Sequence, residues 1–224
     1  MIAVISGGSA EPGLDLVAEA FQKKTGHAVR ITYNTGAQMI ERMKAGEVFD
    51  VVITTSPLRD FRAIGKVEEG GISLGRVGVG MMVRPGAPVP DISGLDAFKR
   101  AVLEAESLVY TTSTSGIYTE EILRKLGLYE RVEAKITRCA TGPAVMDRVL
   151  RGRGKELSFL PFTEILVHQR KGLVLVGPLP DGAQHYLELI AVPTTSSAHK
   201  AVASEFVRFC AGPGKSLLMA NGVS

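Results

Sequence analysis

The stretch that most constrains this chain is residues 50–54, where Val51, Val52 and Ile53 form an unbroken apolar run between Asp50 and Thr54. Three such residues in a row have no polar face and are too few for a helix. They read as a strand buried on both sides, which requires helices above and below a parallel sheet. The preceding sequence supplies them. Residues 2–5 form an apolar strand, Ser6-Gly7-Gly8-Ser9 a small-residue loop, and Leu14, Val17, Ala18 and Phe21 one face of a helix stopped at Gly26. Residues 29–33 alternate as a second strand. After Asn34-Thr35-Gly36, Met39, Ile40 and Met43 mark a second helical face ended by Gly46. Two β-loop-α units leading into a doubly buried strand predict a parallel sheet with right-handed crossovers.

The theme then repeats. Residues 77–83 form an apolar strand carrying Gly78 and Gly80, where the chain is expected to leave its first lobe. Strand 108–111, the polar loop 112–116 and a helix bearing Tyr118, Ile122 and Leu126 follow. Ile136 belongs to another strand, and Pro143 fits the first turn of a helix with Val145, Met146, Val149 and Leu150. Strands 157–160 and 173–176 complete this lobe, and strand 186–192 returns the chain to the first, where Val202, Phe206 and Phe209 line a final helix. The expected division is lobe 1 at 1–83 and 187–224, lobe 2 at 84–186, joined by two hinge strands with a ligand cleft between the lobes. At 224 residues either lobe can bury a core.

Composition excludes more than it selects. Hydrophobic residues make up 45% and charged residues 22%, and 26 basic against 23 acidic residues leave a dispersed +3. Neither nucleic acid nor a membrane surface is implied. No apolar run approaches the roughly 20 residues of a membrane span. Met1 leads directly into a strand without a signal-peptide pattern, so the chain is either cytoplasmic or separated from a leader. Cys139 and Cys210 have no metal spacing and are expected as free thiols. His27, His168, His185 and His199 lack ligand spacing and paired carboxylates, and all four read as surface residues. Glu120 and Glu121 read as helix-start residues favoured by the dipole. No nucleophile elbow, P-loop or dinucleotide fingerprint is present, and neither a metal nor a cofactor is expected.

The chemistry is expected in the loops that follow the strands. Ser6-Gly7-Gly8-Ser9, Asn34-Thr35-Gly36, Thr54-Thr55-Ser56 and 111–116 (Thr-Thr-Ser-Thr-Ser-Gly) are all hydroxyl-rich or glycine, and each leads toward a helix. One such loop is a helix cap. Four on one side of two sheets suit an oxyanion or carboxylate, which backbone amides and hydroxyls at helix N-termini bind well.

Residues 6–9 before the first helix, 21–26 ending it, 44–46 before 50–53, Ser115-Gly116-Ile117-Tyr118 and 176–180 also carry a resemblance in order and spacing. Over nearly its whole length the chain resembles molybdate-type periplasmic substrate-binding proteins of ABC transporters. That resemblance implies the two-lobed α/β type 2 periplasmic binding protein fold, each lobe a mostly parallel sheet flanked by helices. It also implies a monomer that closes by hinge motion over a small anion and presents itself to a membrane permease in the periplasm. The implied binding residues are Gly8, Ser9, Thr35, Gly36, Thr55, Ser115, Gly116, Ala144 and Pro161. Gly36 stands where the family has a second serine, and Pro161 where it has a binding tyrosine. Those departures bring an organic carboxylate into consideration, with Arg84 or Arg148 assisting. They also admit an alternative, an aconitate-isomerase-like enzyme acting on tricarboxylates in the same cleft, for which Glu164 is the candidate base.

Overall fold

A computed structural model describes all 224 residues except the side chain of Arg170. The chain divides into two compact units, Met1–Val77 with Glu188–Ser224, and Gly78–Leu187.

In the first unit, β1 (Ile2–Ser6), α1 (Glu11–Thr25), β2 (Val29–Tyr33), α2 (Gly36–Lys44), β3 (Val51–Thr54) and α3 (Leu58–Ala63) follow one another. β1 pairs in parallel with both β2 and β3. Alternation along the strands sends side chains to two layers. Ile2, Val4, Val51 and Ile53 join Leu14, Val17, Phe21, Phe206 and Leu218 on one face. Ile5 and Val52 join Met39, Met43 and Phe61 on the other. Phe21 meets Phe206 and Phe209 edge to face, with centroids 5.1 and 5.3 Å apart. Helix α1 stops at Gly26, whose left-handed φ of 76° only glycine adopts readily, and whose amide closes on the Gln22 carbonyl at 2.8 Å.

β4 (Ile72–Val83) carries the chain across the unit boundary. The second unit continues with α4 (Leu95–Glu104), β5 (Ser107–Thr111), α5 (Thr114–Lys125), α6 (Tyr129–Val132), β6 (Ile136–Cys139), α7 (Gly142–Leu150), β7 (Glu156–Pro161), α8 (Phe162–His168) and β8 (Val174–Pro178). β5 is parallel to β6 and β7, whereas β4 runs antiparallel to β7 and β8. Leu108 and Tyr110 of β5 face Leu123 of α5, and Val109 between them faces Val145 and Val149 of α7. β9 (Tyr186–Pro193) then crosses back and pairs antiparallel with β3, followed by α9 (Lys200–Ala211) and α10 (Lys215–Met219). Each unit is thus a sheet between helix layers, as the sequence predicts.

Three readings change. β4 begins at Ile72, five residues earlier than its apolar core suggests. Helix α5 begins at Thr114, so the loop read as 112–116 is partly helical and Glu120 lies well inside the helix. His168 is buried, because it closes the inner face of α8 beside Ile165; burial lowers its pKa. His27 and His199 are exposed.

Candidate functional site

In the first unit, three strand ends lead into helix starts. Beyond Ser6 of β1, Gly7 donates to the Ile53 carbonyl at 2.9 Å, holding this loop against β3. Gly8, Ser9 and Ala10 form a 3-10 turn into α1, with Ser9 buried. Ala10 occupies the cap position of α1 and offers no side-chain acceptor, so no hydroxyl of that residue covers the first-turn amides.

The start of α2 is different. The Thr35 hydroxyl accepts from the Gln38 amide at 3.4 Å, and the Gln38 side chain accepts from the Thr35 amide at 3.0 Å. This reciprocal capping box occupies the amide and the hydroxyl of Thr35. Gly36 is the first residue of α2. A Cβ there would come within 2.9 Å of the Ser56 Cβ and closer still to its hydroxyl. Glycine is therefore needed for the loop after β3 to approach, and Ser56 fills the side-chain space at position 36. In that loop the Ser56 amide donates to the buried Thr54 hydroxyl at 2.9 Å, and Thr55 is half-buried beside it.

In the second unit the loop after β5 turns its hydroxyls inward. Thr111 Oγ1 lies 2.6 Å from Ser113 Oγ and 3.3 Å from Ser115 Oγ. Ser113 is the cap residue of α5, yet its side chain makes no capping bond. The amides of Ser115 and Gly116, in the first turn, have no intrahelical acceptor. Both residues are buried. A Cβ on Gly116 would overlap the Thr111 carbonyl oxygen and lie 2.6 Å from its carbon, which explains glycine at this position. Tyr118, one turn on, stacks on His185 with centroids 3.6 Å apart and planes 21° from parallel. Burial lowers the His185 pKa, against the opposing influence of Glu121.

Ala144 sits in the first turn of α7, and its amide donates to the Thr141 hydroxyl at 3.3 Å. Pro161 ends β7 and precedes α8, which brings Glu164 against α7: a Cβ on Gly142 would lie 2.5 Å from Glu164 Oε2. Of the arginines considered from the sequence, Arg84 donates to the carbonyls of Gly154 and Arg153 at 3.1 Å each and lies 3.5 Å from Glu156. Those contacts hold a loop together. Arg148 is exposed.

A pocket of about 320 Å³ opens beside the same loop, between Thr111, Thr112 and Gly116 on one side and Glu120, Arg124 and Arg138 on the other. Arg138 Nε is 2.5 Å from Glu120 Oε1, and Arg138 Nη2 donates to the Tyr129 hydroxyl at 2.9 Å. Arg124 lies 3.3 Å over the Tyr129 ring. Arg138 holds the Glu120 carboxyl below the usual carboxylate range. Glu120 thus serves an ion-pair cluster, correcting its reading as a helix-start residue. Among the described residues, no group of three His, Cys, Asp or Glu side chains is placed to hold a metal. Among the described residues no helix is long and apolar enough to cross a membrane.

These two α/β units match a solved structure titled as the periplasmic molybdate-binding protein of Azotobacter vinelandii. The TM-score is 0.79 at 18% identity, covering 100% of this chain and 99% of that one. The fold is therefore that of the type 2 periplasmic binding proteins. Residues 2–223 match the family described as bacterial extracellular solute-binding protein, and the chain belongs to that family. Among curated relatives, an aconitate isomerase of a Pseudomonas species is 31% identical over 218 residues, spanning 94% of this chain and 82% of that protein. The molybdate-binding protein ModA of Rhodobacter capsulatus is 28% identical over 140 residues, 61% of this chain and 54% of that protein. The resemblance to molybdate-type binding proteins is thus borne out, in a divergent member.

Proposed function

We propose that this chain is the extracytoplasmic solute-binding protein of an ABC transporter, closing by hinge motion over a small anion and delivering it to a membrane permease. The ligand class is a molybdate- or tungstate-like oxyanion or an organic carboxylate. The observation that carries this reading is the first turn of α5, where Ser113 and Ser115 hydroxyls turn toward Thr111 and leave the helix start without a side-chain cap. Amides left without a capping side chain favour an anion through direct hydrogen bonds and the helix dipole. Gly8, Ser9, Gly36 and Thr55 from the first unit, and Ser115, Gly116, Ala144 and Pro161 from the second, make up the proposed binding set. Thr35 serves it by fixing the start of α2. The protein acts as a monomer in the periplasm.

A thermal-shift screen of the purified chain against molybdate, tungstate, sulfate, phosphate, citrate and both aconitates tests the proposal. Ligand at about 100 times its Kd stabilises the native state by about 2.7 kcal/mol, a readily visible rise in melting temperature. No rise with any of these anions rejects the reading. The second reading, an isomerase of tricarboxylates, draws on the 31% identity to an aconitate isomerase across 94% of the chain. A positioned base is what it requires. Proton NMR of either aconitate incubated with the chain decides it: appearance of the other isomer supports an enzyme, and an unchanged spectrum rejects one.

A further inference from the structure

The chain passes between its two units twice, at residues 77–78 in β4 and 187–188 in β9. Both sides of the first crossing are tied down. On the first-unit side, Arg76 exchanges backbone bonds of 2.8 and 2.9 Å with Ser224, and a Cβ on Gly75 would come within 2.6 Å of the Val223 side chain. On the second-unit side, the Gln184 side chain binds both backbone groups of Val79. Its Oε1 accepts from the Val79 amide at 2.9 Å, and its Nε2 donates to the Val79 carbonyl at 3.1 Å. The same Oε1 accepts from the His185 amide at 2.9 Å, and the His185 carbonyl accepts from the Val79 amide at 3.2 Å. Stacking on Tyr118 holds His185 against α5. Gly78 lies between these ties. Its φ is outside the left-handed region, and the three atoms nearest a Cβ there would all belong to the Gln184 amide, at 3.2–3.4 Å. The strand conformation does not call for glycine at this position, and no backbone neighbour does so as Thr111 does at Gly116.

We propose that Gly78 is the pivot of the closing motion and that Gln184 is the clasp that keeps the bend there. This rests on the hinge reading above and locates it. A hinge concentrates its change of φ and ψ in a few residues between rigid neighbours, and glycine has the widest range to offer. Arg76 cannot turn without breaking its pair with Ser224, nor Val79 without releasing Gln184. The change therefore falls on the links of Val77 and Gly78. In β9 the matching freedom lies between His185, held by Val79 and Tyr118, and Leu189, buried in the core of the first unit. Without the clasp, bending would spread into Val79 and the start of β9. Gln184 is thus a positioning residue, acting through the two strands rather than on the ligand.

Double electron–electron resonance between nitroxides at Val48→Cys and Val89→Cys, both exposed and one in each unit, measures the separations that the units sample. Cys139→Ser removes the half-buried native thiol, and Cys210 is buried. This labelled parent, Gly78→Ala and Gln184→Ala are compared without anion and with molybdate, tungstate, sulfate, phosphate, citrate and both aconitates, alongside each melting temperature. In the parent, the separations should move with an anion. In Gly78→Ala the minor separations should lose population about two- to fivefold, the loss of backbone freedom that a Cβ imposes. In Gln184→Ala the spread should widen instead. Opposite changes mark a pivot and its clasp, whereas two merely structural losses would lower both melting temperatures and shift the spread the same way. An unchanged spread in either folded variant, or widening in both, overturns the inference. If the parent's separations still move with an anion, the hinge reading survives that result. Parent separations that none of these anions moves remove both.

Discussion

Replacing Gly116 with alanine should damage this protein more than the added methyl suggests. Two opposing effects decide the sign. Alanine gains about 1 kcal/mol over glycine in a helix, because it narrows the unfolded ensemble. Against that, the new Cβ would overlap the Thr111 carbonyl oxygen, lie 2.6 Å from the carbonyl carbon and 3.2 Å from a ring carbon of Tyr110. Ordinary carbon contacts are near 3.5–4.0 Å. Neither backbone can yield cheaply. Thr111 is the last residue of β5, in register with Cys139, and the next amide is tied to the Cys139 carbonyl at 2.9 Å. Gly116 lies in the first turn of α5, where Ile117 bonds to Ser113 at 3.0 Å. Relief requires the start of α5 to lift by about 1.5 Å, costing the upper end of the 1–3 kcal/mol typical of overpacking. The net expectation is a loss of about 2 kcal/mol, or roughly 4–8 °C in melting temperature for a chain of this size. Calorimetry and urea unfolding of wild type and Gly116→Ala measure it. If the units unfold in separate transitions, only that of the second unit should move. A variant as stable as wild type would refute the close approach of α5 to Thr111, and with it the account of the uncapped helix start.

Other perturbations follow from buried polar groups. Asp50 accepts from the Ala3 amide at 2.8 Å and the Ser197 hydroxyl at 2.6 Å; Asp50→Ala strands both donors and should cost about 3 kcal/mol by urea unfolding, with a loss below about 1 kcal/mol contradicting the assignment. For Glu156, burial raises the carboxyl pKa, but the amides of Gly154 and Arg153, together with Arg84, outweigh it and hold the group below its ordinary value. A carboxyl depressed in the folded state stabilises above its unfolded pKa, near 4.3, and that stabilisation is lost as pH falls through the folded value. Melting temperature should therefore fall less steeply below about pH 5 in Glu156→Gln than in wild type. Burial pushes the Cys210 thiol up to about 12, whereas Cys139 is half-buried. A thiol reagent at neutral pH should therefore label Cys139 first, and Cys210 only on unfolding; equal native labelling would refute that order.

The sequence predicts elements whose apolar pattern is local and complete. Val51-Val52-Ile53 is buried throughout, as its lack of a polar face requires. Gly26 ends α1 where its freedom of φ is useful. Helix α4 goes unpredicted although Leu95, Phe98, Ala101 and Val102 keep helical spacing. The early start of β4 is hidden by Gly75, which interrupts the apolar run yet adopts φ 130° beside Val223. His168 has the spacing of a surface residue only if α8 goes unrecognised. Of the candidate site, the hydroxyl-rich loops are legible from composition and spacing alone. Which of them are already capped is not. The choice of Thr111 over the helix amides by Ser113, the packing of Ser56 against Gly36 and that of Glu164 against Gly142 are long-range or rotameric facts. No window of sequence contains them.

The order of the two units along the chain bears on how the protein is made. The second unit is an insertion: its residues 78–187 emerge after the first unit has begun and before it can finish. The core of the first unit needs Leu189, Ala191, Phe206, Phe209, Leu218 and Val223, all of them beyond the insertion. Arg76 exchanges backbone bonds of 2.8 and 2.9 Å with Ser224, so its last ties form only after Ser224 has emerged. During translation the inserted unit can close its sheet first, while β1, β2 and β3 wait with an unpaired strand edge and an uncovered apolar face. The usual N-terminal-first order is inverted. Residues 1–77, rather than the inserted unit, are the part that would engage a holdase chaperone.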